Sequence, residues 1–573
     1  MINESEFIKD LTATKILSPA EINKFNKEAQ TKDTPLLDYL LEEKLAKEEE
    51  VFGKIAKIKG VPFVDLSTET IRKDILQVVP EPIAQSHSVV AFDKKGDVFR
   101  VATLDPTDLQ TFAFLEKKIE APLEIYYTTP SSIANVLKQY HRSLRAEFEK
   151  ITKQEGSEGE ENEKLKEMAE DLPIVRVVDT LLEYAIFEGA SDIHIEPGEK
   201  EVIIRYRVDG VLREVMTLPK KVHPGLVARI KILSNLKLDE HRLPQDGRFK
   251  IETEDYKISF RVSVIPIFDG EKIVMRLLNE SNKILTLEQL GFQDTALAAI
   301  RRNIEKPNGM VLVTGPTGSG KTTTLYTILN MLNKPGVNIT TIEDPIEYRM
   351  AGVNQSQVNP KIGYTFASGL RAFLRQDPNI IMVGEIRDTE TADIAINAAM
   401  TGHLVLATLH TNDAATALPR LQDMKIASFL IASTVNIIVA QRLVRRICPN
   451  CIQKYKLSAD IIKELEESFD LKNIMEVYKR NNLIKGTVSW RELEFYKGKG
   501  CNQCKDGYKG RMGIYEVLEV TPTIGDLVLK DSSSEVIMRK AKEGGMITML
   551  EDGFIKAKNG ITTIEEIMRV TKE

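Results

Sequence analysis

The stretch Gly309-Met310-Val311-Leu312-Val313-Thr314-Gly315-Pro316-Thr317-Gly318-Ser319-Gly320-Lys321-Thr322, followed by TTLYTILNML over 323–332, decides how the rest of the chain is read. An apolar run ends in a glycine-rich segment that opens a helical pattern, which is the strand, loop and helix order of a phosphate-binding loop. Glycines let the backbone wrap closely, so that its N–H groups and the helix N-terminus face phosphate oxygens. Lys321 is placed to neutralise β and γ oxygens, and Thr322 to ligate Mg²⁺. Gly315, Pro316, Thr317, Gly318, Ser319, Gly320, Lys321, Thr322 and Thr323 are the candidate residues for binding ATP.

On either side of the loop, strand-like runs at 310–314, 380–383 and 404–408 alternate with helical patterns from about Leu285 onward, which predicts a mainly parallel sheet. Three further blocks bear on chemistry: TTIEDPIEY (340–348), NIIMVGEIRD (379–388) and TGHLVLATLH (401–410). ATP hydrolysis needs a metal ligand, a group that orients the attacking water, and cations for the charge developing on the γ-phosphoryl oxygens. Glu385 ends an apolar strand, where a carboxylate can hold Mg²⁺ directly or through water. The acidic block holds Glu343, Asp344 and Glu347; alone it would read as a solvated turn, but beside a phosphate loop it offers a water-orienting group. His403 and His410 bracket the apolar run 404–409.

The chain has 573 residues, more than one core serves, so about three or four domains are expected. Hydrophobic residues make up 42% and charged residues 28%, a balance suited to globular domains. The boundaries read as a small α/β region over 1–145, a charged linker over 146–171, a second α/β region over 172–284, and the P-loop region over 285–573. Strands are expected at 61–66, 97–104, 202–208, 257–264 and 272–277. A net charge of −6 weakens any reading centred on gripping nucleic acid. The N-terminus lacks a signal-type apolar segment, and the longest apolar stretch, 429–440, is interrupted by Ser433, Thr434 and Asn436; a cytosolic protein is expected. The four cysteines form two C-x-x-C pairs, Cys448/Cys451 and Cys501/Cys504, which suit a closed structural Zn²⁺ site.

Together with GPTGSGKT, these blocks closely resemble the secretion ATPase superfamily over about 172–573. The resemblance implies an α/β, multidomain chain: a RecA-like core with a zinc-binding subdomain around 448–504, preceded by a PAS-like domain over 172–284. It points to Glu347 as the catalytic base ahead of Glu343, to Glu385 as the Walker B acid, and to His403 and His410 near the γ-phosphate as sensors of nucleotide state. It maps arginine fingers onto Arg261 and Arg276, with Arg242 and Arg248 in weaker support. The segment 34–66, ending in PFVDL, looks like the MshEN-like N-terminal domain of the family's extension motors. Related domains bind cyclic di-GMP through segments beginning Arg-Leu-Gly. Here the stretches read near Glu6-Phe7-Ile8 and Leu36-Leu37, with Lys44 where Gly is usual, so weak or absent binding is expected. Superfamily members drive pilus extension, pilus retraction and type II secretion. The N-terminal domain and the cysteine module argue against a retraction motor, which leaves extension first: a homohexamer at the cytoplasmic face of the inner membrane, acting on a platform protein (PilC/GspF-like), with accessory cytoplasmic assembly proteins, to power type IV pilus assembly. A type II secretion ATPase is the alternative, and a nucleic-acid translocase stands further off.

Overall fold

A computed structural model describes residues 4–140, 172–253, 257–279 and 284–572, apart from 15, 32–35, 37–38, 41–42, 44, 46, 77, 138, 487, 502–503 and 505. The linker expected at 146–171, and Leu37 and Lys44 of the cyclic di-GMP comparison, lie outside the described residues. The chain divides into two compact units, Met1–Leu278 with Cys501–Gln503, and Asn279–Gly500 with Cys504–Glu573.

The first unit opens with helices α1 (Glu4–Thr14), α2 (Pro19–Thr31) and α3 (Glu48–Lys59). Val51, Phe52, Ile55 and Ala56 form the buried stripe of α3, joining Phe7, Leu11 and Ile22 in one small core. That helix stops at Gly60, whose φ of 69° only glycine adopts cheaply and whose N–H returns to the last turn. Next come β1 (Val89–Lys95), β2 (Val98–Thr103) and β3 (Leu123–Tyr127), with β1 antiparallel and β3 parallel to β2. The strand expected at 61–66 shrinks to one bridge, Phe63 to Tyr127. Pro62 has no N–H, so the ladder is held only by Tyr127 N on Pro62 O and Val64 N on Tyr127 O.

Helix α4 (Leu172–Phe187) leads into a six-stranded sheet of order β6-β5-β4-β9-β8-β7. Its strands are β4 (Asp192–Pro197), β5 (Glu201–Val208), β6 (Val211–Pro219), β7 (Gln245–Glu252), β8 (Lys257–Ile267) and β9 (Gly270–Asn279). Alternation sorts the faces: Ile193, Ile195, Val202, Ile204, Tyr206 and Phe260 enter the core with α4, while Asp192, His194, Arg205, Arg207 and Arg261 take the opposite face.

The second unit is built on a seven-stranded sheet of order β12-β11-β13-β14-β10-β15-β18. The strands are β10 (Gly309–Thr314), β11 (Ile339–Glu343), β12 (Asn354–Gln357), β13 (Ile380–Val383), β14 (Leu404–Leu409), β15 (Val435–Ile447) and β18 (Tyr508–Glu519); β16 (Ile452–Lys456) and β17 (Glu494–Gly498) pair separately. Every pairing in the large sheet is parallel except β15 with β18. The β10 strand is buried along its whole length, as a parallel strand covered on both faces must be. In such a sheet the loops leaving the carboxyl ends of the strands gather on one edge, where ligands bind. Here those loops are 315–320, 344–353, 384–388 and 410–416.

Helix α5 (Lys321–Leu332) follows the P-loop, and α6 (Thr389–Met400) precedes β14. Near the C-terminus, α7 (Met549–Lys558) brings Lys556 under the sheet, where its Nζ donates to Asp552 Oδ2 and Gly513 O, both at 2.6 Å. Asp552 also accepts from Tyr515 N at 2.8 Å. The additional bonds offset the cost of burying two charges.

Candidate nucleotide site

The P-loop leaves β10 with Gly315, Gly318 and Gly320 at φ of 144°, 80° and 90°. A Cβ on Gly315 would stand 2.4 Å from Gln441 O, so close approach to β15 as well as φ requires glycine there. Pro316, Thr317 and Gly318 are exposed at the crown, while Ser319 is buried. No side chain caps α5 at Gly320, and its first N–H groups face the loop as an anion site requires. Lys321 Nζ donates to Gly315 O at 2.8 Å and Pro316 O at 3.0 Å, which curls it over the loop. Burial pushes its ammonium below the ordinary lysine range, and the Glu385 carboxylate works against that shift.

Gln441 is a functional residue that motif reading misses. Fully buried in β15, it donates through Nε2 to Ser319 O at 2.8 Å and accepts at Oε1 from Thr324 Oγ1 at 2.7 Å. It thus ties the loop to α5. An amide directly after the apolar run Ile437-Ile438-Val439-Ala440 was the available signal, because a buried polar group must be partnered.

Glu385 follows β13 and is largely buried. Its carboxylate meets Arg387 at 2.5 Å and His410 Nε2 at 3.2 Å. Glu347 sits in the loop 344–353 between β11 and β12. That loop is pinned from below: Gln355 Nε2 donates to Tyr348 O at 3.1 Å and Glu343 Oε1 at 3.2 Å, and Gln355 Oε1 accepts from Met350 N at 2.7 Å. Glu343 in turn accepts from Tyr326 of α5 and from Thr341 Oγ1 at 2.6 Å. Burial and these partners place Glu343 between the P-loop helix and the Glu347 loop. Its carboxyl is raised by burial, against the donated bonds, with the Glu347 charge adding to the rise.

The two histidines separate. Register sets Thr314 against Leu409 and Gly309 against Leu404, so His410 lies at the P-loop end of β14 and His403 at the other end, roughly 20 Å away at ~3.3 Å per residue. His403 Nδ1 bonds Ala398 O at 3.0 Å, closing the end of α6. The expectation of both histidines at the γ-phosphate is therefore corrected for His403: a parallel strand delivers its two ends to opposite edges of the sheet.

In the first unit, Arg276 Nε donates to Asp192 Oδ1 at 3.1 Å. Arg261 lies directly across from Arg248 in the β7–β8 ladder. Arg242 follows Glu240, whose Oε1 accepts from Arg242 N at 2.7 Å and Leu243 N at 3.1 Å. The fully buried Lys231 fixes that turn through Glu240 O at 2.8 Å and Glu271 at 2.7 Å.

The sulfurs of Cys448, Cys451, Cys501 and Cys504 all lie within 4.8 Å of one another, and none is in a disulfide. Cys451 and Cys504 sulfurs stand 3.5 Å apart, near the ~3.8 Å edge of a Zn–S tetrahedron with ~2.3 Å bonds. The donor set fits zinc with no open position. Purified protein is expected to hold about one zinc per chain by elemental analysis, lost in Cys504→Ser together with order in 448–504. A zinc-free preparation with an unchanged melting profile would sink this assignment.

The model for the type II/IV secretion system protein family matches residues 167–569, and that for the MshEN domain matches 60–147. A type IV pilus assembly ATPase PilB of Myxococcus xanthus is 40% identical over 567 residues, covering 97% of each chain. The type II secretion system ATPase E of Vibrio cholerae is 41% identical over 481 residues, covering 82% of this chain and 92% of its own. Among solved structures, the ATPase DotB of Legionella pneumophila aligns at 23% identity with a TM-score of 0.50, over 69% of this chain and 95% of its own, a likeness of fold.

Proposed function

The chain belongs to the type II/IV secretion system protein family, and on that premise we propose that it is the ATP-hydrolysing motor powering assembly of a type IV pilus. The observation that carries the reading is the match to a pilus assembly ATPase over 97% of both chains. A type II secretion ATPase is the second reading, favoured by the relative that covers 82% of this chain.

ATP binds with its phosphates against the amides of 315–320 and the Lys321 ammonium. Thr322 and Glu385 are the residues that would hold Mg²⁺, which supplies charge neutralisation to the β and γ oxygens. Glu347 orients the attacking water and accepts its proton. Gln441 holds the loop in shape from beneath, and the brace of Tyr326, Glu343 and Gln355 keeps the Glu347 loop in step with α5. Arg261 and Arg276 are the arginine fingers, with Arg242 and Arg248 in weaker support, cations for the charge that develops on the γ-phosphoryl oxygens.

Closed rings suit repeated head-to-tail interfaces, and the motor works as a homohexamer. No helix among the described residues is long and apolar enough to cross a membrane. The motor acts from the cytoplasmic face of the inner membrane, through contact with a platform protein and accessory assembly proteins. Cys448, Cys451, Cys501 and Cys504 are the residues that would hold a structural Zn²⁺. The test is steady-state ATP turnover with and without added partners. The cytoplasmic domain of the pilus platform is expected to stimulate it several-fold and duplex DNA to leave it unchanged; stimulation by DNA alone would reverse the assignment.

A further inference from the structure

Glu516 lies at the back of the nucleotide site, on the β18 strand that closes the sheet beyond β15. It pairs with Ala440, which pairs with Thr314, so it is level with the root of the P-loop. The side chain is almost completely buried. Its Oε1 accepts from Ala414 N at 2.8 Å, and the Met549 amide at the start of α7 also donates to the carboxyl.

Ala414 belongs to the segment 410–416, which carries His410 against Glu385. Two hydrogen-bonded anchors, beside the core packing of Ala414 and Ala415, hold that segment to the sheet. At Thr411 the backbone N donates to Thr314 Oγ1 at 2.8 Å, and the two hydroxyls stand 2.7 Å apart. At Ala414 the anchor is Glu516. Between them Asp413 closes the segment on itself, accepting from Thr416 N and Thr416 Oγ1, both at 2.8 Å. Loss of the Ala414 anchor would leave the segment held by the Thr411 bonds beside His410 and by the core packing of Ala414, Ala415 and Ala417.

The charged groups facing Glu516 are Asp413 from the segment and Glu551 from α7, the latter 3.4 Å from Lys542. The β15 strand offers only Ala440. No lysine or arginine is bonded to Glu516 among the described residues. A buried acid without a cation keeps its proton beyond the usual pH, because the charged form loses hydration that nothing replaces.

We propose that Glu516 is a proton-linked positioning residue for ATP hydrolysis, bracing the segment 410–416 through the Ala414 amide so that His410 stays against Glu385. The proposal rests on the reading of Glu385 and the P-loop as the hydrolytic site. Burial, reinforced by the Asp413 and Glu551 charges and opposed by the Ala414 and Met549 amides, pushes the carboxyl up to about 7. Exposed to water by local opening, the same carboxyl returns to ~4.3. Between those values opening releases a proton, so it becomes about tenfold easier per pH unit as pH rises, and above about pH 7 the gain stops. Closure of the buried site is therefore favoured most in acid, where burial of the neutral carboxyl costs least, and that preference is lost as pH rises through the folded value.

Glu516→Gln removes the titration while keeping size. The ratio of wild-type to E516Q kcat is expected to change by at least ~2-fold between about pH 6 and about pH 8, with ATP KM within ~2-fold throughout. Other titrating groups cancel in that ratio, and a constant ratio would overturn the proposal. A second measurement needs no variant: hydrogen exchange of 410–416 in the wild-type protein, corrected for its intrinsic pH dependence. Protection is expected to fall by ~10-fold per unit up to about pH 7 and then level off, and protection constant over that range would overturn the proposal as well. Turnover surviving in Lys321→Ala would instead strike at the P-loop reading beneath it.

Discussion

Lys321→Ala is expected to lower ATP turnover by at least ~10³-fold while leaving the fold intact. Phosphoryl transfer is catalysed mainly by positioning and by charge placed where charge develops, and Lys321 is the one cation carried by the P-loop itself. Its Nζ rests on Gly315 O and Pro316 O, and a nucleotide phosphate competes for the same ammonium. Truncation removes that charge from a half-buried site, where water screens the remaining groups poorly. The structural cost is small because both loop carbonyls can turn to solvent, so the melting temperature should move by no more than ~2 °C. A phosphate-release assay decides the matter: turnover within ~10-fold of wild type would mean that hydrolysis does not run through this loop.

Glu347→Gln is expected to lower kcat by ~10² to 10⁴-fold with nucleotide affinity changed only a few-fold. Glutamine keeps the size and one acceptor oxygen, so the loop 344–353 stays on its supports, Gln355 and Tyr326. What disappears is a carboxylate able to orient water and take its proton. Glu343, only four residues earlier, is a poor substitute, since its two oxygens already serve Tyr326, Thr341 and Gln355 beneath the loop. Equilibrium binding of a fluorescent ATP analogue, beside single-turnover hydrolysis, separates the two effects. Unchanged single-turnover hydrolysis would move the base elsewhere.

The assignments legible in the sequence are those whose chemistry is contiguous. Gly315 to Thr322 need only their own backbone and the helix that follows, so spelling alone identifies them. Four cysteines in two C-x-x-C pairs announce a metal site because each pair forms half of it locally. Strand and helix alternation likewise announces a parallel sheet, through apolar runs too continuous for one-sided burial. The strand at 61–66 was overestimated because Pro62 removes a donor that hydrophobicity does not count.

Roles that depend on who sits opposite whom were hidden. His403 and His410 look equivalent at the two ends of one apolar run, and only the pairing of β14 with β10 sends His410 to the nucleotide edge and His403 to the far one. Glu343 and Glu347 share an acidic turn, and only the contacts of Tyr326 and Gln355 with the first set their surroundings apart. Gln441 and Glu516 carry no motif: each acts on a loop more than ~100 residues away, through strands that neighbour it only after the sheet has formed. Chemistry confined to a loop and its flanking helix is written in local backbone geometry, and so residue order alone settled this chain as a P-loop ATPase. Distances across a sheet come from strand order and register, and so the division of labour between catalytic groups and the buried groups that hold them was settled by the tertiary structure.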